Sequence, residues 1–221
     1  MLKSQSESKQ INWGFYVWHL LHSLAVNDDS EKLPFKDKWQ LIIRIINFIP
    51  CEKCKNEALS YMIKRRSLID NNNFRLQLAL YQLHNRVSKS LNKREISWKE
   101  YEDLVKTDYA DMCSELSVFR CLCALKVFVA NTSTDMWSSI HLGNIFDALA
   151  ENFPIYHKIL RDYNLERIML VYDTDEDELR IRVSQIFNIV QNNSYYYQNQ
   201  NHDSNLERPT SIVSTMKKIQ E

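Results

Sequence analysis

Residues 49–60 read IPCEKCKNEALS, and the Cys-x-x-Cys within them organises the rest of the chain. Proline disrupts a helix interior, so Pro50 closes one helix and leaves Cys51 at the start of the next. Cys54 then falls one turn further along the same face, within bonding reach of Cys51. Such a pair is half of a zinc site, a structural disulfide or a redox-active dithiol. A structural zinc site needs four ligands, usually two short-spaced pairs. The remaining cysteines are Cys113, Cys121 and Cys123, and none supplies a second C-x-x-C or faces an H-x-x-x-H, so no metal is expected. The redox reading has positive support. Free N–H groups and the dipole at a helix N-terminus stabilise a thiolate at Cys51, and Lys53, Lys55 and Lys64 add positive charge.

The segments on either side are helical in pattern. Trp13 to Val26 spaces Phe15, Trp18, Leu21, Leu24 and Ala25 for one helix face, and Asn27-Asp28-Asp29-Ser30 ends it. Phe35 to Phe48 carries Trp39, Ile42, Ile43 and Ile46. The Cys51 helix runs to about Arg66, and Asp70 to Asn73 form a loop of cap residues. Phe74 to Leu91 is a fourth helix, and Ser97 with Glu100 three residues on is a capping box for a short fifth. Only two glycines occur in 221 residues, which argues against a strand-and-turn architecture and against glycine-rich phosphate loops. The expectation is an all-α protein: a four-helix bundle with a short fifth helix, followed by a helical extension.

The division follows the charge. Residues 1–107 carry 18 Lys+Arg against 12 Asp+Glu, and the remainder 10 against 16. We read 1–10 as a flexible N-terminus, 11–107 as the bundle, 108–191 as the extension and 192–221, rich in Asn, Gln, Ser and Tyr, as a disordered tail. Helices are expected at Leu116–Val129, Met136–Ala150, Ile155–Tyr163 and from a Thr174 or Asp175 cap to Val190. Asp173, Asp175 and Asp177 lack the glycine of a calcium loop. A polar N-terminus and the absence of any run near ~18 apolar residues point to a cytosolic chain with no membrane span. The basic surplus is too modest to imply nucleic acid.

Three separated motifs then line up. Gly14, Trp18 and His22 follow one another at four-residue steps along one helix face; Pro50, Cys51 and Cys54 come next; and His84, Asn85, Val87, Leu91 and Lys93 complete the set. Together they resemble the flavin-linked sulfhydryl oxidases of the Erv/ALR family, whose pattern is G-x-x-x-W-x-x-x-H, P-C-x-x-C and H-N-x-V-N-x-x-L-x-K in that order. The stretch HNRVSKSLNKREISWKEYEDL looks most like the versions carried by large cytoplasmic DNA viruses.

The resemblance, which spans about residues 11–107, implies a bundle that holds FAD non-covalently, usually as a homodimer. It implies that Cys51 meets incoming thiols while Cys54 adjoins the flavin, and that electrons taken from protein thiols reach O₂, producing H₂O₂. The thiol substrate would be a thioredoxin-like or viral dithiol protein, in the cytoplasm of an infected cell or in the virion. Trp18, His22 and His84 would contact the cofactor, Lys93 its ribose or pyrophosphate, and Gly14 would allow close approach. Tyr81, Asn85, Val87, Ser88 and Leu91 complete the implied set.

The chain departs from the family at Ser88, where an asparagine is usual, and at Ala79, where a tryptophan is common. Tyr81 and Trp98 occupy the positions of a stapling disulfide, and an aromatic contact is expected in its place. Cys121 and Cys123 are candidate shuttle cysteines of the C-x-C kind. In a continuous helix, however, they lie about 200° apart and cannot bond, so buried thiols are the alternative. A helical scaffold or virion component with little catalysis is the competing function.

Overall fold

A computed structural model describes residues 13–27, 33–131, 136–162, 164 and 176–200. The expected all-α architecture is found. Helices α1 (Trp13–Val26), α2 (Phe35–Asn47), α3 (Glu52–Ile69) and α4 (Asn73–Ser90) form the bundle, and α5 (Trp98–Leu104) runs into a π-helical turn, Val105–Tyr109. After it come α6 (Glu115–Asn131), α7 (Met136–Asn152), the short α8 (Pro154–His157) with a second π-turn, Lys158–Asp162, and α9 (Glu176–Gln200).

Local chemistry sets the helix ends. Cys51 is the N-cap of α3, its sulfur accepting from the Cys54 N–H at 3.2 Å. Asp70 closes α3 in the left-handed region at φ 47°, and the Asn72 side chain caps α4. Ser97 and Glu100 form the expected capping box on α5. Phe153 leads into Pro154 at the first turn of α8, where proline loses no hydrogen bond.

The main departure from sequence expectation concerns α1. Periodicity assigns it one apolar face, yet every residue from His19 to Ala25 is buried, as is Val17. A helix enclosed all round must have partners on all sides. α1 packs on α2 and α4 of the bundle, on the Val105–Tyr109 turn, and most extensively on α6. The boundary expected at residue 107 is therefore not a break between compact units: one unit runs to Val183 and a second starts at Ser184. α6 buries Val118, Leu122, Leu125 and Phe128. The Phe128 ring meets Phe48, just past α2, at 5.9 Å.

α9 continues to Gln200, beyond the expected change to disorder at 191. Residues 201–221, the N-terminal 1–10 segment, the Asp28-Asp29-Ser30 helix end, the Thr174 or Asp175 cap, and Asp173 lie outside the described residues. No helix among the described residues is long and apolar enough to cross a membrane.

If α6 is integral to the bundle, Leu122→Ala, at a fully buried position, is expected to cost about 2–5 kcal/mol in a urea titration. A loss below about 1 kcal/mol would instead mark α6 as a loosely attached appendage.

Candidate functional site

Cys51 and Cys54 form a disulfide with a Cα–Cα distance of 5.2 Å. Two features separate the sulfurs. Both are half-buried, but Cys51 is the N-cap beside exposed Glu52 and Lys53, whereas Cys54 lines a narrow apolar cleft with Val17, Leu21, Ala58, Leu83 and Val87. That cleft shares Trp13, Trp18 and Val87 with a larger cavity of about 660 Å³. Of the lysines expected to bias the pair, Lys55 is engaged by Glu52 one turn back.

The larger cavity gathers most of the residues singled out in the sequence. Gly14 and Trp18 line it from α1; His84, Val87 and Ser88 from α4; Leu91 and Lys93 from the following loop. Trp18 and His84 stack face to face, ring centroids 4.3 Å apart and planes 6° from parallel. The flat pair forms one wall, and the Lys93 side chain is exposed beside it.

Three implied residues sit behind this surface. His22 is fully buried; its Nε2 is 3.1 Å from His84 Nδ1 and its Nδ1 is 3.3 Å from the Tyr101 hydroxyl. Asn85 is committed to the loop: its Nδ2 donates to the Ile96 carbonyl at 2.8 Å and its Oδ1 accepts from the Ile96 N–H at 3.0 Å. Tyr81 donates to the same carbonyl at 3.0 Å. Neither Asn85 nor Tyr81 lines the cavity; together they pin the 91–97 loop that carries Lys93 and Ile96 to its rim. The Tyr81–Trp98 contact expected in place of a disulfide forms, edge to face at 5.1 Å. Ala79 is buried and lines neither cavity. Ser88 keeps its place at the rim, its carbonyl accepting from the Lys93 N–H at 2.8 Å.

Other lining residues carried no motif. Phe15 and His19 come from α1, Leu104 ends α5, and Asp108 and Tyr109 come from the π-turn. A π-turn redirects side chains by one extra residue, which helical periodicity does not anticipate. Asp108 pairs with Arg120 of α6 at 2.9 Å, and the Arg120 guanidinium lies 5.1 Å over the Phe15 ring. The second half of the chain thus supports the cavity. Only Phe15, one turn before His19 on the same helix, had a legible signal.

Burial sets the protonation of the wall. It lowers His19 to about 4, aided by the Arg120 charge, and lowers His84 to about 4, aided by Lys93. It pushes His22 well below its ordinary value too, with His84 and His19 acting in the same direction. All three imidazoles are neutral near pH 7. Cys121 and Cys123 sit buried within α6; burial pushes the Cys121 thiol up to about 12, against a hydrogen bond from Tyr156. A thiol that stays protonated is a poor nucleophile, which favours the buried-thiol alternative.

The donor set suits a planar heteroaromatic group bearing a diphosphate. It offers a stacked flat wall, a glycine at the lip, a cation at the rim and a histidine nitrogen facing inward. A helix-start disulfide beside such a cavity defines a dithiol redox protein that works with a bound organic cofactor. A profile of the Erv1/Alr family matches residues 16–109. The proteins named FAD-linked sulfhydryl oxidase from Kenyan and Malawian isolates of African swine fever virus are each 38% identical over 97 residues, covering 42% of this chain and 80% of the relative. The chain belongs to the Erv1/Alr family. No solved structure matches it significantly.

The depressed histidine pKa values predict a specific pH response. In the unfolded chain these imidazoles take up protons near 6.5, whereas the folded protein resists until about 4. Their contribution to stability is complete above pH 6.5 and is lost as pH falls toward 4. At pH 5 the loss is on the order of 2 kcal/mol per histidine. Urea midpoints at pH 7 and pH 5 would show it, and His19→Gln is expected to narrow the difference.

Proposed function

We propose that this chain is an FAD-linked thiol oxidase that makes disulfide bonds in other proteins through Cys51 and Cys54. The observation that carries the reading is the asymmetric placement of one disulfide, with Cys51 at the helix start and Cys54 on the cleft that joins the Trp18–His84 cavity.

The thiol chemistry follows from that placement. A substrate thiolate attacks Cys51 Sγ; a mixed disulfide forms, and Cys54 leaves as a thiolate at the cleft. A second substrate thiolate then attacks the substrate sulfur of the mixed disulfide. This releases an oxidised substrate and a Cys51 thiolate, for which the first-turn N–H of Cys54 is already a donor. Two substrate thiols have lost two electrons and two protons, and the Cys51–Cys54 pair has gained both electrons. FAD supplies the two-electron acceptor that returns the pair to its disulfide, with O₂ as the final acceptor and H₂O₂ as product. The stacked Trp18–His84 pair would lie against the cofactor's rings as one wall, Gly14 would admit it, and Lys93 would balance its phosphates. Val87, Ser88 and Leu91 would close the sides, with His22, Asn85 and Tyr81 acting through their neighbours.

The substrates are protein dithiols, in the cytoplasm or virions of an infected cell, and the enzyme works as a homodimer. The viral source of the named relatives supports the infected-cell setting. A catalytically silent scaffold is not favoured, because the disulfide, the cleft and the cavity wall are all intact.

Cys54→Ser is expected to keep its flavin absorbance while dithiol-driven O₂ uptake falls roughly a hundredfold or more. Trp18→Ala is expected to lose the flavin on gel filtration. A folded, colourless wild-type protein that cannot be reconstituted with FAD would refute the reading.

A further inference from the structure

The buried chain Tyr101–His22–His84 ends at the cavity, and its hydrogen-bond accounting has only one good solution. Tyr101, on α5, is completely enclosed, and its hydroxyl has a single partner among the described residues, His22 Nδ1 at 3.3 Å. His22 Nε2 in turn has His84 Nδ1 at 3.1 Å. His84 Nε2 has no partner among the described residues. Because no buried side-chain nitrogen or oxygen among the described residues lacks one, that atom is open to the cavity His84 lines.

Both imidazoles are neutral, so each carries one ring proton, and the chain can run in two directions. In one, the Tyr101 O–H donates to His22 Nδ1, His22 Nε2–H donates to His84 Nδ1, and His84 presents Nε2–H to the cavity. In the other, His84 Nδ1–H donates inward, His22 Nδ1–H donates to the phenol oxygen, and Nε2 faces the cavity as an acceptor. The second arrangement leaves the Tyr101 proton buried with nothing to receive it, a cost of about 1–3 kcal/mol. Burial also keeps the phenol protonated, pushing it well above its ordinary value. Turning a ring over would keep its stack, His84 on Trp18 and His22 on Tyr109 at 5.1 Å, but would carry a nitrogen out of the chain and leave its partner unpaired.

We infer that Tyr101, which touches neither cavity, is a positioning residue that fixes the tautomers of His22 and His84 and makes the cavity wall a hydrogen-bond donor. The ligand it serves is an acceptor atom of FAD; that part rests on the assignment of the cavity under the proposed function. The tautomer part does not.

The test is a long-range ¹H–¹⁵N correlation spectrum of the full chain labelled in histidine, at pH 7, without and with FAD. Wild type is expected to carry the proton on Nε2 in both His22 and His84, before FAD is added. In Tyr101→Phe each direction leaves one group on His22 Nδ1 unpaired, a lone pair in the first and an N–H in the second, so the bias is lost and His84 is expected to become a mixture of tautomers. The dissociation constant for FAD is expected to rise about three- to tenfold, the range of one hydrogen bond. A wild-type His84 protonated on Nδ1 overturns the inference, and this measurement decides it even if the variant fails to fold. A Tyr101→Phe protein with unchanged tautomers overturns it too, since the phenol would then be packing alone. The expected tautomers in a wild-type protein that binds no FAD would support the Tyr101 relay and overturn the assignment of the cavity.

Discussion

The enclosure of α1 is the constraint on which the remaining structure depends. Seven consecutive buried residues, among them His19, His22 and Ser23, leave no face for water. Polar groups in that position must be satisfied by protein, because an unpaired buried group costs more than a made hydrogen bond returns. His22 meets Tyr101 on one side and His84 on the other, and His19 is 3.5 Å from the Ser23 hydroxyl. The same helix supplies Gly14, Phe15 and Trp18 to the cavity and Leu21 to the cleft beside Cys54. One element therefore links the cofactor wall to the disulfide.

Around α1 the site is built from rigid pieces. α4 delivers His84, Val87 and Ser88 on successive turns, then ends where Asn92 takes a left-handed conformation, φ 53°. The loop beyond is anchored by Asn85, which makes both available bonds to the Ile96 backbone, by Tyr81, which takes the same carbonyl, and by the Lys93 N–H on the Ser88 carbonyl. Asn85 and Tyr81 look like cofactor ligands in the motif and act as loop anchors in the fold. Their effect on the cavity is transmitted through Lys93 and Ile96.

The extension changes character once it is seen in place. α6 fills the side of α1 that the bundle leaves open, and its Arg120 joins Asp108 and Phe15 at the cavity. It lies beyond the segment matched by the family, 16–109, yet it packs on α1 within that segment. The basic-to-acidic change near residue 107 marks a difference in surface, not a break in packing.

The sequence by itself determined the helical class, the ends of the bundle helices and the family to which the chain belongs. Those features are local: Pro50 and Cys51, the Ser97–Glu100 box, the Asp70–Asn73 caps, and spacings of three and four that put chemistry on one face. It also separated Cys121 from Cys123, because helix geometry alone forbids their bond. Tertiary structure decided what depends on partners distant in the chain. His22, Tyr101 and His84 become one network only when α1, α5 and α4 meet, and no spacing within a single helix encodes that. Asp108 and Tyr109 reach the cavity through a π-turn, whose extra residue defeats the 3.6-residue count. The buried second face of α1 was illegible because polar His19 and Ser23 fall on it, and a search for apolar periodicity does not register such residues as core.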